Sequence, residues 1–248
     1  MITLTRNFLL SVAVTLLLCL SSTFAADEDS INAALTGKPH SGGYNPHGKL
    51  APEQLIHVAL RHMQEGRPKD ALNELDRGVV RYPDNAELLA VRGSLLLQLG
   101  RISDALRDFE AALAIDPDDA KTLINRSQAY RQFGRIQEAL IDLDHALALN
   151  PDLVAAHFNR GSIYYSSSEF DKALADFEAC IAIDPHDPAP YFNRASTHYV
   201  LGDRTDAIKD MQHFLELTDQ SEWKKTAEEL IEQWLTEVSR PRSQAPNS

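Results

Sequence analysis

Residues 100–117 read GRISDALRDFEAALAIDP, and residues 134–151 read GRIQEALIDLDHALALNP. The two stretches keep a glycine, an alanine, an apolar residue and a proline at the same places, 34 residues apart. Working outward, prolines stand at that interval at Pro83, Pro117, Pro151 and Pro185. The frame divides the chain into five units, 52–85, 86–119, 120–153, 154–187 and 188–221. Ala71, Ala105, Ala139, Ala173 and Ala207 form one column, and a small residue stands twelve places earlier at Ala59, Gly93, Ser127, Gly161 and Ala195. Gly66, Gly100, Gly134, Ser168 and Gly202 lie between them. Leu75, Phe109, Leu143, Phe177 and Met211 follow the alanines by four.

Small residues at two columns let two antiparallel helices approach closely, where larger side chains would overpack. A glycine provides the positive-φ end of a first helix, and the proline stops a second one. Asp-Pro-Asp, Asn-Pro-Asp and Asp-Pro-His around the prolines are turn formers. On these columns the chain resembles the tetratricopeptide repeat (TPR) family, over five periods of that family's length. The resemblance implies an all-α fold, an α-solenoid of five helix hairpins wound as a right-handed superhelix. The departures are Leu55, Leu89, Leu123, His157 and Tyr191 at the first-helix aromatic column, and Asp219 where the fifth unit lacks its proline.

The ends read differently. Arg6 is the only charged residue among the first 25, Phe8 to Leu20 is mostly apolar, and Thr23 and Ala25 suit a cleavage site. Residues 1–25 are therefore expected to be a secretory signal peptide, with a retained anchor as the alternative. Localisation follows as exported, periplasmic or secreted. Residues 26–51 form a polar leader, whose His40 and His47 lack other ligands. Trp223, Ala227, Leu230, Ile231 and Trp234 fall on one stripe, so residues 222–239 are expected to be a helix covering the last apolar face of the stack, entered by a capping box of Asp219 and Glu222. Residues 240–248 are a tail.

Loss of Arg6 with the first 25 residues leaves 23 Lys and Arg against 36 Asp and Glu, a net charge of −13. That acidity argues against nucleic acid and against anionic lipid, and suits a soluble protein or one with a basic partner. Cys180 would be the one remaining thiol and occupies a column of small apolar residues, so it reads as packing. With cleavage, no membrane span is expected.

A second ladder carries charge. Arginines recur at Arg92, Arg126, Arg160 and Arg194, and acids at Glu74, Asp108, Asp142, Asp176 and Asp210. The first unit has Val58 in the arginine column. Pairing within a unit would strand Glu74, so each arginine is expected to pair with the preceding unit: Glu74 with Arg92, Asp108 with Arg126, Asp142 with Arg160, Asp176 with Arg194.

The family resemblance also implies that first-helix residues line a concave groove that holds an extended peptide. Carried over, those columns give Asn125, Asn159 and Asn193 in register, with Phe158, Phe192, Tyr165 and Tyr199, and with Arg131, Gln128, Gln132, Ser162 and Ser196. Asparagine presents both a donor and an acceptor to a peptide backbone, and the aromatic rings supply contact area. The alternative is that the asparagines link neighbouring helices. The first two units are less polar there, with Ile56, His57, Leu60, Ala90, Val91 and Leu97. Members that clasp a C-terminal carboxylate use lysines, asparagines and an arginine in columns that here hold Ile56, Leu60, Val91, Lys121 and Asn125, of which only Lys121 matches.

No catalytic signature is present: no G-x-S-x-G, H-E-x-x-H, P-loop or dinucleotide fingerprint. His157 and His198 lie on neighbouring first helices without obvious carboxylate company, so no cofactor and no metal is expected. Asn125-Arg126-Ser127 matches a glycosylation sequon but falls on an expected helix. The reading is a non-catalytic scaffold binding extended or helical segments of other proteins. The alternatives are self-association through the apolar residues of the first units, Leu55, Ile56, Leu95, Leu96, Leu97 and Leu99, and, more remotely, an enzyme or metal-binding protein.

Overall fold

The structure, a computed structural model, describes residues 50–238. The expected signal peptide, nearly all of the leader and the tail lie outside the described residues. Within them the chain forms eleven helices and no strand. These are α1 (Pro52–Gln64), α2 (Pro68–Arg81), α3 (Ala86–Gln98), α4 (Ile102–Ile115), α5 (Ala120–Phe133), α6 (Ile136–Leu149), α7 (Val154–Ser166), α8 (Phe170–Ile183), α9 (Pro188–Leu201), α10 (Arg204–Leu217) and α11 (Ser221–Val238). Contacts group the described residues into two compact units, 50–156 and 157–238, divided within α7.

Local chemistry sets the helix ends. Pro52, Pro68 and Pro188 open α1, α2 and α9, where a missing N–H costs nothing. The side chains of Asn85, Asp119 and Asp187 accept backbone N–H groups in the first turns of α3, α5 and α9. Gly134 and Gly202 end α5 and α9 at φ of 85° and 96°. Ser168 takes the same left-handed turn at φ 63°, the one non-glycine residue to do so among those described. Second helices α2, α4, α6 and α8 stop two residues before the repeating prolines.

In the N-terminal unit α1 packs on α2, α3 on α4 and α5 on α6, with α2 against α3 and α4 against α5. Ala71, Leu75, Leu88 and Leu95 are buried in its first cluster. The small-residue column meets the apolar column here. A Cβ placed on Gly93 would lie 2.7 Å from Phe109 Cε1. In the C-terminal unit a Cβ on Gly161 would lie 2.9 Å from Phe177 Cε1 and 3.1 Å from Asp176 Cβ. Glycine stands where the residue sixteen places on is phenylalanine, and alanine or serine where it is Leu75, Leu143 or Met211. Across each hairpin the sizes of the two facing side chains thus trade off, as close packing requires.

The arginine ladder differs from the sequence expectation. Each arginine pairs inside its own hairpin. Arg92 Nε and Nη2 donate to Asp108 at 2.7 Å each, and Arg126 to Asp142 at 2.8 and 2.7 Å. Arg160 donates to Asp176 at 2.9 and 2.8 Å, and Arg194 to Asp210 at 2.7 Å twice. The reason is hairpin geometry. Arg92 lies eight residues before Gly100 and Asp108 eight after it, so antiparallel helices bring them to one level. Glu74, opposite Val58, is not stranded: Arg77 on the same helix donates to it at 2.8 Å. Arg92 Nη1 also reaches the preceding hairpin, but it donates to Asp76 at 3.0 Å, not to Glu74.

In the C-terminal unit α8 packs on α9, α9 on α10 and α10 on α11. Ala227, Leu230 and Trp234 of α11 are buried against Tyr191, Phe192, Met211 and Phe214, with Trp223 and Ile231 packed beside them. All five residues of the stripe read from the sequence belong to this cluster or pack on it. Its entry is shifted: Lys224 N–H bonds Gln220 O, which puts Gln220 rather than Asp219 at the start of the helix. Cys180 is buried, and burial pushes its thiol up to about 12, with Asp176 and Asp187 adding to the rise.

Candidate functional site

The candidate residues sit on first helices, and each unit presents its own set. On α5, Asn125 is half-buried and its Nδ2 donates to Ser94 Oγ of α3 at 3.1 Å, while Ser94 donates to Ala90 O at 2.9 Å. Asn125 therefore joins neighbouring first helices, the alternative weighed for this column. The same engagement, with Ser127 buried, leaves the sequon within a packed helix. Gln128 and Arg131 are half-buried on α5, and Gln132 is exposed. On α1 and α3, His57, Leu60, Met63, Ala90, Val91 and Leu97 are half-buried.

Most of the apolar residues of the first two units are taken up in packing. Leu55, Ile56, Leu95 and Leu96 are buried. Leu97 is half-buried and Leu99 alone of that group is exposed.

In the C-terminal unit, Phe158 is buried and tilts against Phe177, with centroids 6.0 Å apart. Phe192 retains 1% of its surface and packs edge-on against Phe214 at 5.2 Å and Trp223 at 6.4 Å. Both rings are core residues rather than walls, because their neighbours come from their own hairpin and from α11. Tyr165 is half-buried, edge-on to Phe170 at 5.6 Å, and burial raises its phenol. Tyr199 is half-buried, stacked on Trp234 at 4.7 Å and 18°, with the Arg204 guanidinium 4.1 Å from its ring centre. Sequence reasoning missed that bracket around Tyr199. Trp234 was legible only as a core residue of α11, and nothing in the repeat columns marks Arg204.

Asn159 and Asn193 are buried, at 5% and 3% exposure. Asn193 Nδ2 donates to Ala189 O at 3.2 Å, and its Oδ1 is buried without a hydrogen-bond partner. Ser162 and Ser196 are also buried, and each donates to the carbonyl four residues earlier, Phe158 and Phe192, at 2.8 and 2.9 Å. His157 and His198 serve their own hairpins. His157 Nδ1 lies 2.8 Å from Asp176, and His198 Nε2 lies 4.0 Å from Asp210. No group of three or more His, Cys, Asp or Glu side chains able to hold a metal gathers among the described residues. No described helix is long and apolar enough to cross a membrane.

One column behaves alike in all five hairpins. Met63, Leu97, Arg131, Tyr165 and Tyr199 each stand twelfth in their frame, three residues before the turn, and each is half-buried. None of the five is fully buried or fully solvated, and the rings of Tyr165 and Tyr199 supply contact area at small entropic cost.

The tetratricopeptide repeat model matches residues 59–128, 127–188 and 161–232. No curated protein matches the chain. Among solved structures, PilW, described as a widely conserved type IV pilus biogenesis factor, is 18% identical. It superposes with a TM-score of 0.66, over 80% of this chain and 96% of that one. TTC0263, a thermophilic TPR protein of Thermus thermophilus, is 22% identical over 75% of this chain and all of its own, with a TM-score of 0.59. YrrB, described as a TPR protein with an unusual peptide-binding site, is 18% identical over 74% and 94%, with a TM-score of 0.58. At these identities the likeness is one of fold: an all-α solenoid of helix hairpins.

Proposed function

The chain belongs to the tetratricopeptide repeat family, a fold whose members generally mediate protein–protein interaction, and from that premise we propose that it is an exported, non-catalytic scaffold. Its first-helix face holds segments of partner polypeptides. The observation that carries this is the twelfth-position column: Met63, Leu97, Arg131, Tyr165 and Tyr199 are all half-buried and repeat once per hairpin. Within each unit such a column offers a partner segment one side chain per hairpin. Export is supported by the apolar run of residues 8–20 and the small residues at 23 and 25. The acidic balance suits a basic partner.

Site-specific photocrosslinking in the native host tests the reading. A benzophenone side chain at Arg131 or at Tyr165 is expected to give adducts of discrete mass with other polypeptides. The same group at Ile141, exposed on α6, is expected to give none. Adducts from Ile141 alone would move the interaction to the second helices and overturn the assignment. N-terminal sequencing of the mature protein should begin at Ala26; a start at Met1 removes cleavage from the proposal.

A further inference from the structure

We infer that the first-helix face of the N-terminal unit takes an extended partner segment that carries, three residues apart, two apolar side chains and one acidic side chain, with the carboxylate seated on Arg131. The inference rests on the proposed reading of that face and names the chemistry of its occupant. Its starting point is Arg131 on α5. Three arginines of this unit are half-buried, and two of them are claimed: Arg92 by Asp108 and Asp76, and Arg126 by Asp142. The third, Arg131, has no side-chain hydrogen bond and no ion pair among the described residues, and its nitrogens stay open to solvent. Residues 50–156 hold 17 Asp and Glu against 12 Lys and Arg, yet none of those acids pairs with it. Even the exposed Arg101 and Arg135 are engaged, with Asp104 and Glu138. A guanidinium left in this state presents a fork of donors that matches a carboxylate.

Arg131 ends a row. Met63 on α1, Leu97 on α3 and Arg131 on α5 share the twelfth place of their hairpins, and α1 touches α3 as α3 touches α5. All three side chains are half-buried, so a docking chain can reach them. Leu60, Met63 and Val91 pack on the core cluster beneath and keep part of their surface. Packed helix axes lie about 8–10 Å apart. A chain in the polyproline II conformation faces the same way every third residue and advances about 9 Å in doing so. One side chain therefore falls to each helix: apolar ones to Met63 and Leu97, an acid to Arg131. A side chain, not a chain terminus, supplies the carboxylate, because the columns that would clasp a terminus hold Ile56, Leu60 and Val91. One local carboxylate leaves the partner free to be basic as a whole, which the acidity of the chain favours.

Fluorescence anisotropy with the full exported chain tests this. Three labelled, amidated peptides of equal length carry leucine, leucine and a variable residue at every third position, with alanines between and a lysine at each end. The variable residue is glutamate, glutamine or lysine. The glutamate peptide is expected to bind about tenfold more tightly than the glutamine peptide, with the lysine peptide weakest. Arg131→Glu should reverse the order and make the lysine peptide tightest. Arg131→Gln should abolish the preference, and serves as the second variant if the reversed form does not fold. Arg135→Gln removes an exposed charge from the same hairpin and should change the glutamate-to-glutamine ratio by less than about twofold. Leu97→Ala should weaken all three peptides about fivefold. Equal binding of the glutamate and glutamine peptides overturns the inference, as does a glutamate preference that survives both changes at Arg131. A ratio that falls as far with Arg135→Gln reduces it to unspecific attraction, and Leu97→Ala without effect removes the apolar row; either result overturns it. Failure of all three peptides to bind overturns it too, while the crosslink at Tyr165, made with Arg131 intact, judges the wider reading separately.

Discussion

Place for place, α3 carries Val91, Ser94 and Leu97 where α9 carries Asn193, Ser196 and Tyr199. In the N-terminal unit those side chains are half-buried, and Ser94 accepts a hydrogen bond from Asn125 of the next first helix. In the C-terminal unit Asn193 and Ser196 are buried and bond only to their own helix, so an amide oxygen is left over. The hairpin beneath is the same in both: an arginine–aspartate pair at one level, and a small residue facing a large one. A repeat fold separates the two tasks, because inter-helix packing uses one stripe of each first helix and leaves another free to vary.

The largest effect should come from the shared part. Asp142→Ala in one unit and Asp176→Ala in the other each abandon a guanidinium that is only 20% and 22% exposed, and about 3–5 kcal/mol of stability should go with each. Glu74→Ala should cost under about 1 kcal/mol, since its partner Arg77 is largely solvated. Denaturant melts of the three variants check this; equal losses in all three would erase the distinction between a paired hairpin and the first one. Next in size, Gly93→Ala and Gly161→Ala should each lose about 1–3 kcal/mol, because the new methyl meets Phe109 or Phe177. Restoration by Gly161→Ala combined with Phe177→Leu would show that the two columns compensate. No recovery in the double variant would mean that backbone, not ring size, sets the spacing.

The smallest effect concerns a cap and sharpens the contrast. Asn85 caps α3 with a neutral amide, whereas Asp187 caps α9 with a carboxylate. Burial, the leading cause, raises the Asp187 carboxyl above its ordinary value, against the pull of its bond from Ala189 N–H. The folded state therefore holds that proton more tightly than the unfolded chain. Its relative stability is gained below the unfolded carboxyl range and lost as pH rises through the folded value. Asp187→Asn should melt at or slightly above the parent at neutral pH, by less than about 1 kcal/mol, since asparagine caps equally well. The gap should close in acid, where both caps are neutral. A clear loss of stability at neutral pH would show that the charge itself holds α9.

The sequence alone determined the helix hairpins, their turns and the family, because those rest on local rules that repeat every 34 residues: glycine at a left-handed turn, proline after a helix, small residues at a close approach. It also marked which first-helix columns carry polar and aromatic residues, and the apolar stripe of α11. Only the tertiary structure decided who pairs with whom. The arginines went to their own hairpins, because two residues equidistant from an antiparallel turn meet, and the absence at Val58 carried no information about partners. Phe158 and Phe192 turned inward and Asn193 kept an unanswered oxygen, because burial is set by which neighbours arrive from distant segments, a property of packing that no column of letters contains.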